Sequence, residues 1–284
     1  MGHQPPALEK LFDEWAKKHE ENLSKEAPYF MNHEEPYGKF IRDGIVNFDN
    51  WKKQKVRICF VLHEASGYTD LEKFPNGHDV AAEWNEKGSF SKFMFKLAVW
   101  TRAVNDAFAP APVTYVKKEV LAVNHDLIRS IAVVNLKKSD GQKRPTPDLV
   151  KNFAVTDAEE IRRELEIINA NIILFCDNFF YAVGERPKPE EGAPADAPPP
   201  KRTSAIYTDE IKPIAKFAYT WNNKLLMRLW TPANFYGTLS SNTINYYALR
   251  EIMRSALKVF GQKSAAAKAK APAPAKPAAP APAK

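Results

Sequence analysis

The chain has 284 residues, 44% of them apolar, and a formal net charge of +7. That apolar content supports a sizeable core, yet no uninterrupted apolar run approaches the roughly 20 residues a membrane span needs. The N-terminal stretch carries Pro5, Pro6, Glu9 and Asp13 and lacks the basic-then-apolar order of a secretory signal, so a cytoplasmic protein is expected.

The charge is uneven. Residues 1–50 hold ten acids against six bases, whereas residues 263–284 hold five lysines and no acid. A moderately basic body with a basic tail suits a polyanionic partner, although a small positive excess is also common on soluble proteins. The two cysteines, Cys59 and Cys176, lie inside apolar runs and are read as small core residues. They are too few for a structural zinc or an iron–sulfur cluster, so no metal or cofactor is expected.

In chain order, Leu8 to Asn22 reads as a surface helix, with Leu8, Leu11, Phe12 and Trp15 on one face. Phe40 to Asn47 reads as a loop packed on the domain. Four short apolar runs read as buried strands: Val56–Glu64, Ile128–Leu136, Asn171–Asn178 and Lys224–Thr231. Helical patterns separate or follow them. Ser91–Phe108 carries Phe95, Val99 and Trp100 on one side. Thr156–Ala170 opens on a capping-box sequence and sets Ile161, Leu165 and Ile168 at helical spacing. Ile244–Phe260 closes the domain. Strands alternating with helices predict a three-layer α/β/α fold around a central four-stranded, mostly parallel sheet.

The expected organisation is a helical and loop extension over residues 1–50 and an α/β domain over 51–262. A disordered insertion, Glu185–Arg202 with six prolines, interrupts the domain. An Ala/Pro/Lys tail over 263–284, extended and solvated, follows it. The tail either adds salt-sensitive contacts to a polyanion or only aids solubility.

Ligands of open parallel sheets bind outside the carboxyl ends of the strands. The first strand ends in His63-Glu64-Ala65-Ser66-Gly67, which sets a carboxylate at a tight turn where it either orients a water or caps the next amides. The second ends in Asn135-Leu136-Lys137-Lys138, with Lys143 and Arg144 close behind. Asn135 carries both donors and an acceptor, the equipment for reading a base edge. The four bases suit phosphate contact, or an ordinary solvated turn. Beyond the fourth strand, Asn234, Phe235, Tyr236, Ser240 and Ser241 form a loop of aromatics and hydroxyls, suited to wedging into a base stack or to folding back on the core. Phe90, in Gly88-Ser89-Phe90, is either a stacking platform or a core residue.

In this order the segments resemble the uracil-DNA glycosylase superfamily, and most nearly its bacterial and archaeal branch whose first motif reads G-E-A-P-G. His63-Glu64-Ala65-Ser66-Gly67 stands in that position, and Gly88-Ser89-Phe90 is similar to the branch's Gly-x-x-Phe. Asn135-Leu136-Lys137-Lys138, with Arg144-Pro145, resembles an expanded N-V-V-K-C-R-P-P motif. Thr231-Pro232-Ala233 matches the final H-P-S or H-P-A. The likeness covers about residues 54–258, through short, degenerate motifs.

The resemblance implies a monomeric enzyme that flips a nucleotide out of DNA. Phe90 would stack on the base, with Ala65 beside it, and Asn135 would bond the base edge. Glu64 would position water, and the Thr231–Tyr236 loop would grip the groove. Three departures accompany the likeness. Thr231 replaces the histidine that supports the departing base, the cysteine cluster is absent, and His63 replaces the first glycine. Loss of such a donor costs on the order of 10²–10³ in rate, unless His63 takes over part of the role. A base other than uracil is therefore expected. A modified pyrimidine of phage DNA or a deaminated host base would fit, and a DNA-binding relative without catalysis is the alternative.

Overall fold

The computed structural model describes residues 4–24, 40–66, 78–86, 91–108, 124–141, 147–175, 211–215, 217–229 and 239–270. The fold is α/β, and its main sheet has seven strands and is mixed, in place of the four-stranded sheet expected. β1 (Ile41–Arg42) and β4 (His78–Asp79) form a separate parallel pair.

The main sheet takes in β2 (Gly44–Ile45), β3 (Ile58–Ser66), β5 (Ile131–Gly141), β6 (Ile172–Phe175), β7 (Lys212–Ala215), β8 (Ala218–Trp221) and β9 (Lys224–Arg228). Its order is β2-β5-β3-β6-β9-β8-β7. β5, β3, β6 and β9 correspond to the four runs read from the sequence, and they pair parallel to one another. The extra strands, β2 at one edge and β8 and β7 at the other, pair antiparallel. They escaped notice because they are two to four residues long, too short to show a period.

Each strand of the parallel set divides its side chains between two apolar clusters, as the two-residue period of a strand requires. Cys59, Val61, Ala132, Val134, Ile173 and Leu226 join one cluster. There they meet α1 (Pro6–Ser24), α6 (Pro147–Thr156) and α7 (Ala158–Ile168). Ile58, Phe60, Ile131, Val133, Leu174 and Met227 join the other. There they meet α3 (Val80–Glu86), α4 (Lys92–Ala107) and α8 (Leu239–Lys270), the 32-residue helix that closes the described chain. Two short helices, α2 (Phe48–Lys53) and α5 (His125–Arg129), precede β3 and β5.

Several local signals act as their chemistry requires. Ser91 caps α4 by accepting from the Met94 amide at 3.1 Å. Asn169 ends α7 in the left-handed region, φ 48°, where asparagine is tolerated. Asn222 and Asn223, both at positive φ, form the two-residue turn between β8 and β9. The capping box expected at Thr156 is not formed. Thr156 is the last residue of α6, and Asp157 precedes α7 without a side-chain cap bond.

Helix α1 is a surface helix with one face buried, as its pattern predicts, and its other face, with Lys10, Asp13, Glu14 and Lys17, is exposed. Leu8, Leu11, Phe12 and Trp15 are at most 1% exposed, in the same cluster as Val61 and Val134. Gln4 donates to the Asp43 carbonyl and accepts from the Ile45 amide, stitching the chain ahead of α1 to β2. Gly44 allows this approach. Its φ is +101°, and an added Cβ would stand 2.8 Å from Leu8 Cδ2. The expected extended tail is helical from Lys263 to Lys270. The insertion at 185–202 lies outside the described residues.

Candidate active site at the carboxyl edge of the sheet

Among the four parallel strands, the chain runs from β3 outward to β5, then back across to β6 on the other side of β3. The direction of winding reverses between β3 and β6, and in open α/β sheets the ligand crevice lies at that reversal, beyond the carboxyl ends. The carboxyl half of β3 carries His63, Glu64 and Ala65.

Glu64 lies within β3 rather than after it. The strand runs on to Ser66, two residues beyond the end expected from the sequence. Glu64 pairs in register with Lys137 on β5, and Leu62 with Asn135. Beyond that point the register shifts, so that Ser66 pairs with Gly141. Such irregularities often re-aim side chains beside functional sites. Lys137 Nζ donates to Glu64 Oε2 at 2.9 Å, and the two side chains are only 6% and 3% exposed. The Lys137 ammonium also stands 5.5 Å from the centre of the Phe153 ring.

Lys137 and Lys138 are not in a solvated basic loop, contrary to the sequence expectation. β5 continues five residues past Leu136. Neighbouring strand residues point to opposite sides, and the two ammonium groups find separate internal partners. Lys138 is fully buried between the Asp43 and Glu164 carboxylates, the latter at 2.7 Å from its Nζ. The Phe12 and Trp15 rings close over it, with centroids 5.6 and 5.1 Å from the ammonium. Neither lysine is offered to a phosphate in this structure.

Asn135 also belongs to this interior cluster. Asp43 Oδ2 accepts from its backbone amide at 2.6 Å and from its side-chain Nδ2 at 2.9 Å. Asn135 is 2% exposed and lies mid-strand, not at a strand end. Burial, together with the neighbouring Asp43 charge, pushes the Glu164 carboxyl well above the usual carboxylate range. Burial works against the Lys138 ammonium, but the two facing carboxylates outweigh it and raise its pKa. Burial also raises the Cys59 thiol well above its ordinary value. Burial lifts Asp157, next to Lys18, to about 6.

Sequence reading missed Asp43 and Glu164. Glu164 left a signal, since it falls on the buried stripe of Ile161, Leu165 and Ile168, where a carboxylate needs a partner. Asp43 left none beyond its position before Gly44. Of the other expected site residues, His63 is half-buried in β3. Ala65 belongs to β3, and Ser240 and Ser241 open α8. Phe90, Lys143, Arg144, Thr231, Asn234, Phe235, Tyr236 and Cys176 lie outside the described residues. Among the described residues, no three His, Cys, Asp or Glu side chains stand together as metal ligands. No helix there is long and apolar enough to cross a membrane. No protein-family model matches the chain, and no curated protein matches it.

Proposed function

We propose that the chain is a DNA glycosylase that flips a damaged or modified base out of DNA and hydrolyses its N-glycosidic bond, leaving an abasic site. The observation that carries this reading is Glu64. It is a buried carboxylate held by Lys137 at 2.9 Å, in the carboxyl half of β3 beside the winding reversal. Four parallel strands with helices on both faces, and a first-motif segment in the carboxyl half of β3, support the same reading.

In this mechanism Glu64 orients a water against the sugar. The C1′–N bond breaks, the water oxygen bonds to C1′, Glu64 accepts the water proton, and the base departs as an anion that is then protonated. Phe90 stacks on the flipped base, and Thr231 and His63 support its departing charge. Threonine in place of histidine is a shorter, neutral donor, which favours a modified or bulky pyrimidine over uracil. Modified phage DNA, and with it antiviral defence, would be one setting, and repair of deaminated host bases another.

A second reading, a DNA-binding relative without catalysis, is favoured by one observation. Glu64 and Asn135 are both engaged with internal partners, Lys137 and Asp43. The test is incubation with DNA containing uracil, hypoxanthine or modified cytosines, and with phage genomic DNA, followed by quantitation of abasic sites. The glycosylase reading expects abasic sites on at least one substrate and their loss in Glu64→Gln. No abasic sites on any substrate, with DNA affinity retained, would establish the binder.

A further inference from the structure

We infer that Asp43 is a positioning residue of the proposed site. It locks the Asn135 amide in one orientation, so that the site reads a base edge in one sense and rejects the reversed edge; this rests on the reading of a flipped base as ligand. β2 pairs only Gly44 and Ile45 with Val133 and Ala132 of β5. The Asn135 amide lies beyond that pairing, and the carboxylate of Asp43, one residue ahead of β2, meets it there. Asp43 Oδ2 accepts from the main-chain amide at 2.6 Å and from Asn135 Nδ2 at 2.9 Å. A main-chain N–H can only donate, so Oδ2 is an acceptor. Asp43 Oδ1 is an acceptor too, since Lys138 Nζ donates to it. The atom that Asn135 turns toward Asp43 is therefore its side-chain nitrogen, an orientation fixed by the hydrogen-bond network. Lys138, buried between Asp43 and Glu164, anchors this lock to α7.

The side-chain oxygen of Asn135 is left over. The residue is 2% exposed, and among the described residues its Oδ1 has no hydrogen-bond partner. A buried acceptor without a donor is costly, so this oxygen calls for a donor from outside the chain. Its place in the sheet is beside the candidate catalytic group. Leu62 is opposite Asn135, and Glu64, two residues on, is opposite Lys137. Residues two apart on a strand share a face, so the amide and the Glu64 carboxylate lie on the same side of the sheet.

Asn135 Nδ2 carries two hydrogens. The one spent on Asp43 is on the main-chain side, because the same carboxylate oxygen also takes the main-chain N–H. The other stands beside Oδ1, and the amide offers a donor and an acceptor side by side. A uracil-type edge shows a carbonyl acceptor next to a ring N–H. A cytosine-type edge shows an amino donor next to a ring acceptor, the same pair reversed. An unrestrained amide can turn over and serve either. An amide held by an acceptor-only partner serves one, and the reversed edge meets donor with donor and acceptor with acceptor.

The test uses the full chain and single strands of adenine that each carry one uracil, cytosine, 5-hydroxymethyluracil or 5-hydroxymethylcytosine. These form two pairs, matched at C5 and reversed at the edge. Binding is read by fluorescence anisotropy and excision by abasic sites. The native protein is expected to favour the same edge type in both pairs, by on the order of tenfold to a hundredfold. Asp43→Asn, whose side chain can donate as well as accept, frees the Asn135 amide to turn over. It should lower that ratio by at least about fivefold, through a gain on the disfavoured member. An Asp43 that only ties the fold together would weaken both members alike, and an unchanged ratio overturns the lock. Where the single variant does not fold, Asp43→Asn with Lys138→Met, which also removes the buried ammonium, takes its place. The native ratio needs no variant, and a value below about fivefold, less than one bidentate contact supplies, overturns the lock by itself. The two readings fail separately. Discrimination in binding without abasic sites sinks the glycosylase and leaves the lock. Abasic sites formed alike from both members of a pair do the reverse, and neither binding nor abasic sites on any strand overturns both.

Discussion

Lys137 and Lys138 are adjacent, and the two charge clusters they enter differ in composition and reach. At the carboxyl edge, Lys137 meets the Glu64 carboxylate on the neighbouring strand. The pair joins two strands that are already in register. In the interior, Lys138 meets two carboxylates, Asp43 and Glu164, from the segment between β1 and β2 and from α7. One lysine faces both, and burial together with the Asp43 charge pushes the Glu164 carboxyl well above the usual carboxylate range. The edge pair is therefore a contact between two neighbouring strands, and the interior cluster is a tie between three elements of the fold.

The largest expected effect breaks the interior tie. Asp43→Ala leaves the Lys138 ammonium with Glu164 as its remaining carboxylate and takes the acceptor from both Asn135 donors. It should lower unfolding free energy by about 3–5 kcal/mol, measured as a fall in urea midpoint at constant slope. A fall of less than about 1 kcal/mol would show that the cluster does not hold the fold.

Next comes the edge pair. Lys137→Met removes the ammonium that the buried Glu64 carboxylate meets, and we expect a loss of about 2–4 kcal/mol at neutral pH. Adding Glu64→Gln should recover most of it, so a double-mutant cycle would show strong coupling. Additive losses would mean that the pair is incidental.

Asp157 sharpens the comparison through pH. Its folded pKa, about 6, lies above the ordinary 3.8, so folding favours the protonated form. Its contribution to stability is therefore fully present below about pH 4 and is lost as pH rises through 6. Asp157→Asn should raise stability by about 1–2 kcal/mol at pH 7, with the gain vanishing toward pH 4. A gain independent of pH would reject the assignment.

The smallest effect is expected at Glu164. Because burial and the Asp43 charge push its carboxyl toward the neutral form, Glu164→Gln should cost less than about 1 kcal/mol at pH 7. A loss as large as that of Asp43→Ala would mean that Glu164 is ionised.

The four parallel strands were legible because each is an apolar run, and α4 and α7 because their buried residues recur at helical spacing. What misled was charge. Consecutive lysines after an apolar run look like the start of a solvated loop, and β5 was ended five residues early. Only the partners, 95 residues back at Asp43 and 26 ahead at Glu164, reveal that the lysines point inward, and a local pattern cannot see them. Glu64 was found for its position, but its engagement with Lys137 depends on strand order. Asn135 reads as equipment for a base edge because nothing nearby in the chain announces Asp43.

The edges of the main sheet have a bearing on solubility. An unpaired strand edge is a template for another chain, and such encounters are how folded proteins begin to aggregate. At one end β2 is only two residues long and lies under α1, through Gly44. At the other, β7 opens with Lys212 and Pro213, both exposed. Proline offers no amide to an incoming strand, and lysine resists being buried by one. Among the described residues, the seven-stranded sheet thus ends, on both sides, in strands poorly suited to recruiting an eighth.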